Sequence, residues 1–216
     1  MKLPQPPLLL ITDRRQARRP LEEIAAAAFA AGCRWLSLRE KDLPAAGRLE
    51  LLQRLIDLGA RWDACVGVHD DIDAANSARA GAIHLPDGGP LAGLRARLGA
   101  GVLLGVSAHD AAGIERAALA GADYVTLSPI CATASKPGYG PALGLDRLAQ
   151  MSARAAVPVV ALGGIDASSA KDCIVAGAAG IAVMGAVMAA EDPGRQVAAL
   201  AAALAGGRGG SHSQRG

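Results

Sequence analysis

Short apolar runs alternate along this chain with longer alanine- and leucine-rich stretches whose apolar residues recur at helical spacing. The runs predict strands over residues 8–12, 34–38, 64–68, 82–85, 102–106, 124–127, 157–162 and 180–184. Between them, Leu21, Ile24, Ala25 and Ala28 form one helical stripe, and Leu49, Leu52, Leu55 and Ile56 form another. Gly32, Gly59, Gly81, Gly121 and Gly177 follow helical stretches, where a left-handed residue is expected to end a helix. This alternation argues for βαβ units and a parallel sheet. Eight units in one uninterrupted domain favour a closed (β/α)8 TIM barrel over residues 1–205, rather than an open doubly wound sheet. Residues 206–216 carry no apolar period and read as a disordered tail.

Composition sharpens the picture of the core. The chain of 216 residues is 51% hydrophobic but only 2% aromatic, so Ala, Leu, Val and Ile must fill the interior. The formal charge of +2 is supplied by Arg208 and Arg215 near the C-terminal end. A near-neutral body with five aromatics offers neither a basic field nor a stacking platform for nucleic acid. No apolar run is long enough to suggest a membrane segment or a signal sequence. Cys33, Cys65, Cys131 and Cys173 are widely spaced, which argues for reduced thiols in a cytoplasmic protein.

In a barrel of this kind the chemistry collects at the C-terminal ends of the strands. Arg39 and Lys41 follow the second predicted strand, and extended backbone would point both the same way, as a diphosphate requires. The competing reading is a solvated charge run. After the third strand comes His69-Asp70-Asp71. Asp71 is assigned to capping the next helix, Asp70 to the site as a Mg²⁺ ligand, and His69 to hydrogen bonding on the rim. Ser107 lies after the fifth strand. Residues 128–142 form a loop too long for an ordinary strand-to-helix connection. Its Thr133, Ser135 and Lys136 suggest a phosphate-gripping lid, against the alternative of a tolerated insertion. Gly163, Gly164 and Gly185 follow the last two strands, where backbone N–H groups commonly bind phosphate.

Together these segments resemble one known family, thiamine phosphate synthase and its relative thiazole tautomerase. The resemblance runs from Leu10-Ile11-Thr12-Asp13 to about Met188. It is carried by Leu38-Arg39-Glu40-Lys41, His69-Asp70-Asp71, Ile83-His84-Leu85, Gly105-Val106-Ser107-Ala108-His109, Ala122-Asp123-Tyr124-Val125, Thr133-Ala134-Ser135-Lys136 and Val160-Ala161-Leu162-Gly163-Gly164-Ile165. It implies a Mg²⁺-dependent transferase that joins hydroxymethylpyrimidine diphosphate to thiazole phosphate and releases pyrophosphate. Arg39, Lys41, Ser107 and Lys136 would surround the diphosphate, and Asp70 would bind the metal. Thr133, Ser135, Gly163, Gly164, Met184 and Gly185 would hold the thiazole phosphate.

The chain departs from the synthase pattern at three places. Ser37 stands where the family usually has Gln, and His69 where it has Asn. Gly89 occupies the place of a second metal-binding Asp, for which Asp87 is the substitute within reach. Ser37 and His69 are therefore expected to line the substrate site in altered form. His84-Leu85-Pro86 is similar to the tautomerase branch, but Pro129 stands where that branch has its histidine. Besides the synthase, a tautomerase and a non-catalytic phosphate-binding barrel remain open at this point.

Overall fold

A computed structural model of the chain describes residues 1–132 and 141–209. Its sheet is a closed barrel of eight parallel strands in sequence order. These are β1 (Leu8–Ile11), β2 (Trp35–Leu38), β3 (Cys65–His69), β4 (Ala82–Leu85), β5 (Leu103–Ala108), β6 (Tyr124–Leu127), β7 (Val159–Leu162) and β8 (Gly180–Val183). Closure is made by β1 against β8, with Leu10 opposite Val183. The intervening helices are α1 (Leu21–Ala30), α2 (Ala45–Ala60), α3 (Ile72–Ser77), α4 (Leu94–Leu98), α5 (Ala111–Leu119), α6 (Gly144–Arg154) and α7 (Ala167–Val175). A single turn, α8 (Gly185–Met188), precedes the last helix, α9 (Pro193–Gly209).

Alternation along each strand divides the core into two layers. Outward residues such as Leu8, Leu10, Leu36 and Val68 pack against the helices, with Leu21, Ile24, Ala25 and Ala28 of α1 among them. Inward residues, including Leu9, Trp35, Leu103, Tyr124 and Val160, fill the lower part of the barrel. The Trp35 and Tyr124 rings meet edge to face with centroids 4.8 Å apart. A Cβ on Gly105 would come within 2.1 Å of the Tyr124 ring, so glycine there is what admits the phenol. With so few aromatics, the barrel interior is filled by two large rings and small or aliphatic neighbours.

Several expectations shift by a residue or two, and some shifts matter. The strand β3 includes His69 and β5 continues through Ala108, so His69 and Ser107 stand on strands rather than on loops. Pro158 lacks an N–H, and β7 begins after it rather than at residue 157. Gly32, Gly121 and Gly177 have the expected positive φ, but Gly59 and Gly81 do not. At those two helix ends the left-handed residues are Asp63 and Arg79. Gly59 instead permits close packing, since a Cβ there would approach Val66 Cγ2 to 2.8 Å. The last helix runs through Gly209, past the boundary expected at residue 206. The tail expected beyond it, residues 210–216, lies outside the described residues.

Candidate active site at the top of the barrel

The rim of β1 and β2 is built on a buried carboxylate. Glu40 accepts from Thr12 Oγ1 at 2.8 Å and from the Arg14 N–H at 3.1 and 3.2 Å. The Thr12 hydroxyl oxygen in turn accepts from the Arg39 N–H at 2.9 Å. Burial pushes the Glu40 carboxyl above its ordinary value, against the lowering from Thr12 and Arg14. The middle residue of Arg39-Glu40-Lys41 is thus buried away from the cavity as an anchor, while both cations line the cavity above the barrel. Alternation at this strand end separates the three as the spacing suggested.

That cavity has a volume of about 360 Å³. Arg39, Lys41, His69, Asp70 and Ser107 line one side of it, and Gly163, Gly164, Met184 and Gly185 line the other. Asp70 reaches it from a left-handed backbone with φ of 53° and a backbone bond to His84 O. Asp71 caps α3 by accepting from the Ala74 N–H and pairs with Arg48 at 2.5 Å, as its helix-start position predicts. Gly163 and Gly164 both have positive φ, and a Cβ on Gly164 would fall 2.3 Å from Ala132 O. Cys131 N–H donates to Gly163 O, and Ile130 N–H to Leu162 O, so the base of the long loop is fastened to the end of β7. The one-turn helix α8 begins at Gly185 with its free N–H groups near the same wall, the arrangement that binds phosphate in many barrels.

Ser37 does not reach the cavity. Its buried hydroxyl lies 2.7 Å from His69 Nδ1, so the serine holds the histidine and the histidine meets the cavity. The small residue at 37 and the larger one at 69 are two halves of one contact. The His69 ring also lies against that of His84, with centroids 4.5 Å apart. Sequence spacing gave no sign of His84 or Tyr124 as contributors, although both belong to the inward-facing set of their strands. Asp166 and His109 line the cavity as well. Asp166 caps α7, and His109 Nδ1 lies 2.9 Å from Ser128 O. Thr133, Ser135 and Lys136 lie outside the described residues.

The carboxylates fit Mg²⁺ in one arrangement. Among the described residues, no cluster of three or more His, Cys, Asp or Glu side chains could hold a metal by itself. Asp87 is engaged by Arg116, with both carboxylate oxygens 3.1 Å from Nη2. Gly89 sits in a tight turn, donating to Pro86 O at 3.0 Å, and a Cβ there would be 2.8 Å from Leu85 Cβ. An aspartate at 89 would require a different loop. Asp70, Asp87 and Asp166 all line the cavity, but Asp87 is in an ion pair and Asp166 caps a helix. One carboxylate, that of Asp70, suffices when substrate phosphate oxygens and water complete the octahedron.

Fold and rim together define a (β/α)8 barrel built to receive phosphorylated small molecules in one cavity with cations and glycines on its rim. The chain belongs to the thiamine monophosphate synthase family, whose model matches residues 8–187. A Geobacter sulfurreducens protein is 42% identical over 199 residues, covering 91% of this chain and 93% of its own length. The thiamine-phosphate synthase of a Roseiflexus species is 38% identical over 91% of this chain and 84% of its own. That of Salinispora tropica is also 38% identical, over 91% of this chain and 96% of its own. Among solved structures, a thiamine phosphate pyrophosphorylase from Pyrococcus furiosus superposes with a TM-score of 0.83 at 28% identity. The match covers 93% of this chain and 96% of that one.

Proposed function

We propose that this chain is a thiamine-phosphate synthase acting on hydroxymethylpyrimidine diphosphate and thiazole phosphate. The observation that carries the reading is a single cavity with two unlike walls. Arg39, Lys41, Asp70 and Ser107 form a charged, hydrogen-bonding wall, opposite the glycine-rich wall of Gly163, Gly164 and Gly185. Two differently phosphorylated substrates can then lie face to face, with the diphosphate toward the cations and the monophosphate toward the backbone N–H groups.

In this reading the bond between the pyrimidine methylene carbon and the diphosphate oxygen breaks, and the carbon is captured by the thiazole nitrogen. The electron pair leaves with pyrophosphate, so the barrier falls as that departing charge is stabilised. Arg39 binds phosphate oxygens through two N–H groups, Lys41 adds a point charge, and Ser107 donates one hydrogen bond. Asp70 would hold Mg²⁺, which when bound neutralises charge on the diphosphate. Lys136 is assigned to the diphosphate, and Thr133 and Ser135 to the thiazole phosphate, on the family motif alone. Cytoplasmic location is part of the same reading. The four cysteines are free thiols, and no described helix is long and apolar enough to cross a membrane.

The test is rescue of a cell lacking its own synthase on medium without thiamine, followed by assay of the purified protein with both substrates. Growth, and thiamine phosphate formed with stoichiometric pyrophosphate, are expected. A protein that is expressed and folded yet yields neither overturns the reading.

A further inference from the structure

Beneath Ser107 a chain of hydrogen bonds descends into the closed part of the barrel. Ser107 Oγ lies 3.0 Å from His84 Nε2, and His84 Nδ1 lies 3.0 Å from the Tyr124 hydroxyl. The three residues stand on β5, β4 and β6, and β5 pairs with both neighbours, so the sheet itself fixes their spacing. Tyr124 and His84 are 1% and 2% exposed. A second hydroxyl, that of Thr126, lies 3.3 Å from the same Nε2.

Such a chain can run in either direction, and the direction decides what Ser107 offers the cavity. A neutral imidazole has one N–H and one bare nitrogen, and its bonding partners select which is which. Buried in the barrel, the His84 ring nitrogens meet only hydroxyl groups among the described residues, so nothing there supports a charged ring and the imidazole is neutral. The Tyr124 phenol has one hydrogen-bonding partner among the described residues, His84 Nδ1. Phenol is a stronger donor than the aliphatic hydroxyls of Thr126 and Ser107, so its proton is the costliest to leave unsatisfied inside the barrel. Nδ1 is then the bare nitrogen, and the ring proton belongs on Nε2. There it meets Ser107 Oγ at the shorter distance and Thr126 Oγ1 at the longer one.

We infer that Tyr124 and His84 act as positioning residues that turn Ser107 into a hydrogen-bond donor toward the bound anion. Tyr124 O–H donates to Nδ1, Nε2–H donates to Ser107 Oγ, and the serine proton is left to point into the cavity. In the reverse tautomer the serine proton is free to turn back toward Nε2, leaving lone pairs facing a negatively charged leaving group. The relay moves no proton during the reaction. It fixes a dipole before the substrate arrives, which is how a buried donor aids the departure of charge.

The role assigned to Ser107 rests on the synthase reading, but the tautomer does not, and two measurements keep them apart. In ¹⁵N-labelled protein, His84 is assigned as the resonance lost in His84→Gln. It is expected to show a protonated Nε2 and a bare Nδ1, and Tyr124→Phe should shift it toward the other form or a mixture. A protonated Nδ1 in the unmodified protein overturns the relay whether or not the protein makes thiamine phosphate. Kinetically, Tyr124→Phe should lower kcat by about tenfold with little change in the KM for thiazole phosphate. The same substitution should be nearly silent in a Ser107→Ala background. If Tyr124→Phe costs as much with Ser107 absent as with it present, its effect does not pass through Ser107 and the inference fails. Melting temperatures measured for all variants identify any that lose activity by unfolding.

Discussion

Glu40, between the two cavity-lining cations Arg39 and Lys41 in sequence, accepts the hydrogen bond of Thr12, and this contact joins the ends of β1 and β2. The raised carboxyl pKa gives the pair a signature in the pH dependence of stability. The folded protein keeps the Glu40 proton through a range where the unfolded chain has lost it. Stability from this group is therefore full below the ordinary glutamate range and is lost as pH rises through the raised value. Glu40→Gln has no such titration. The melting temperature of the unmodified protein relative to Glu40→Gln should fall as pH rises above the ordinary glutamate value. Thermal melts across that range check it, and a difference that stays flat or rises contradicts the assignment.

The buried Glu40 anchor leaves Arg39 free to act on the ligand. Arg39→Gln should reduce kcat/KM by about a hundredfold or more, as for loss of a principal donor to the leaving group. Arg39→Lys should recover only part of that, because an ammonium cannot reproduce the planar two-point contact. Steady-state kinetics with the pyrimidine diphosphate varied, together with pyrophosphate inhibition constants, test both claims. Full recovery by lysine would mean that only the charge at 39 matters.

These two residues show what could be read in the sequence. Alternation at a strand end separates Arg39 and Lys41 from Glu40 whatever the rest of the chain does, and eightfold repetition of strand and helix favours the barrel over an open sheet. Asp71 was legible as a cap because a helix start needs an acceptor there. Ser37 and His69 were not legible as a pair, since 31 residues intervene and only the β2–β3 register brings them together. The Tyr124–His84–Ser107 chain was hidden for the same reason. Nothing local distinguishes an inward-facing histidine in the barrel from any other half-polar strand residue. Asp87, offered in place of the aspartate absent at 89, does line the cavity, but its ion pair with Arg116 on α5 is a contact that no local motif announces.

Gly164 carries a backbone requirement that can be measured separately from chemistry. Its φ of 64° disfavours any side chain by about 1–2 kcal/mol. A methyl group there would also collide with Ala132 O and Cys131 Cβ, at 2.3 and 2.9 Å. Gly164→Ala should therefore destabilise the fold by more than about 1 kcal/mol and raise the KM for thiazole phosphate more than that for the diphosphate. Gly47→Ala is the control: it lies in α2 with nothing within 4 Å of the added carbon, and should be neutral or stabilising by about 0.5–1 kcal/mol. Urea denaturation and paired KM measurements suffice. Equal effects on the two KM values would disconnect Gly164 from the monophosphate wall.

The single carboxylate at Asp70 makes metal binding dependent on the anion. With Asp87 paired to Arg116 and Gly89 offering no side chain, the described residues alone present too few oxygens to hold Mg²⁺ firmly. Calorimetry should find weak Mg²⁺ binding to the free protein and clearly tighter binding once pyrophosphate is present. Asp70→Asn should abolish that enhancement and lower kcat on the order of a hundredfold. Asp87→Asn should leave the enhancement largely intact, because its carboxylate already serves Arg116. Removal of metal by a chelator should stop turnover and be reversed by added Mg²⁺. Equal losses from Asp70→Asn and Asp87→Asn would mean that Asp87 leaves Arg116 in the loaded site and that the metal is held by two carboxylates after all.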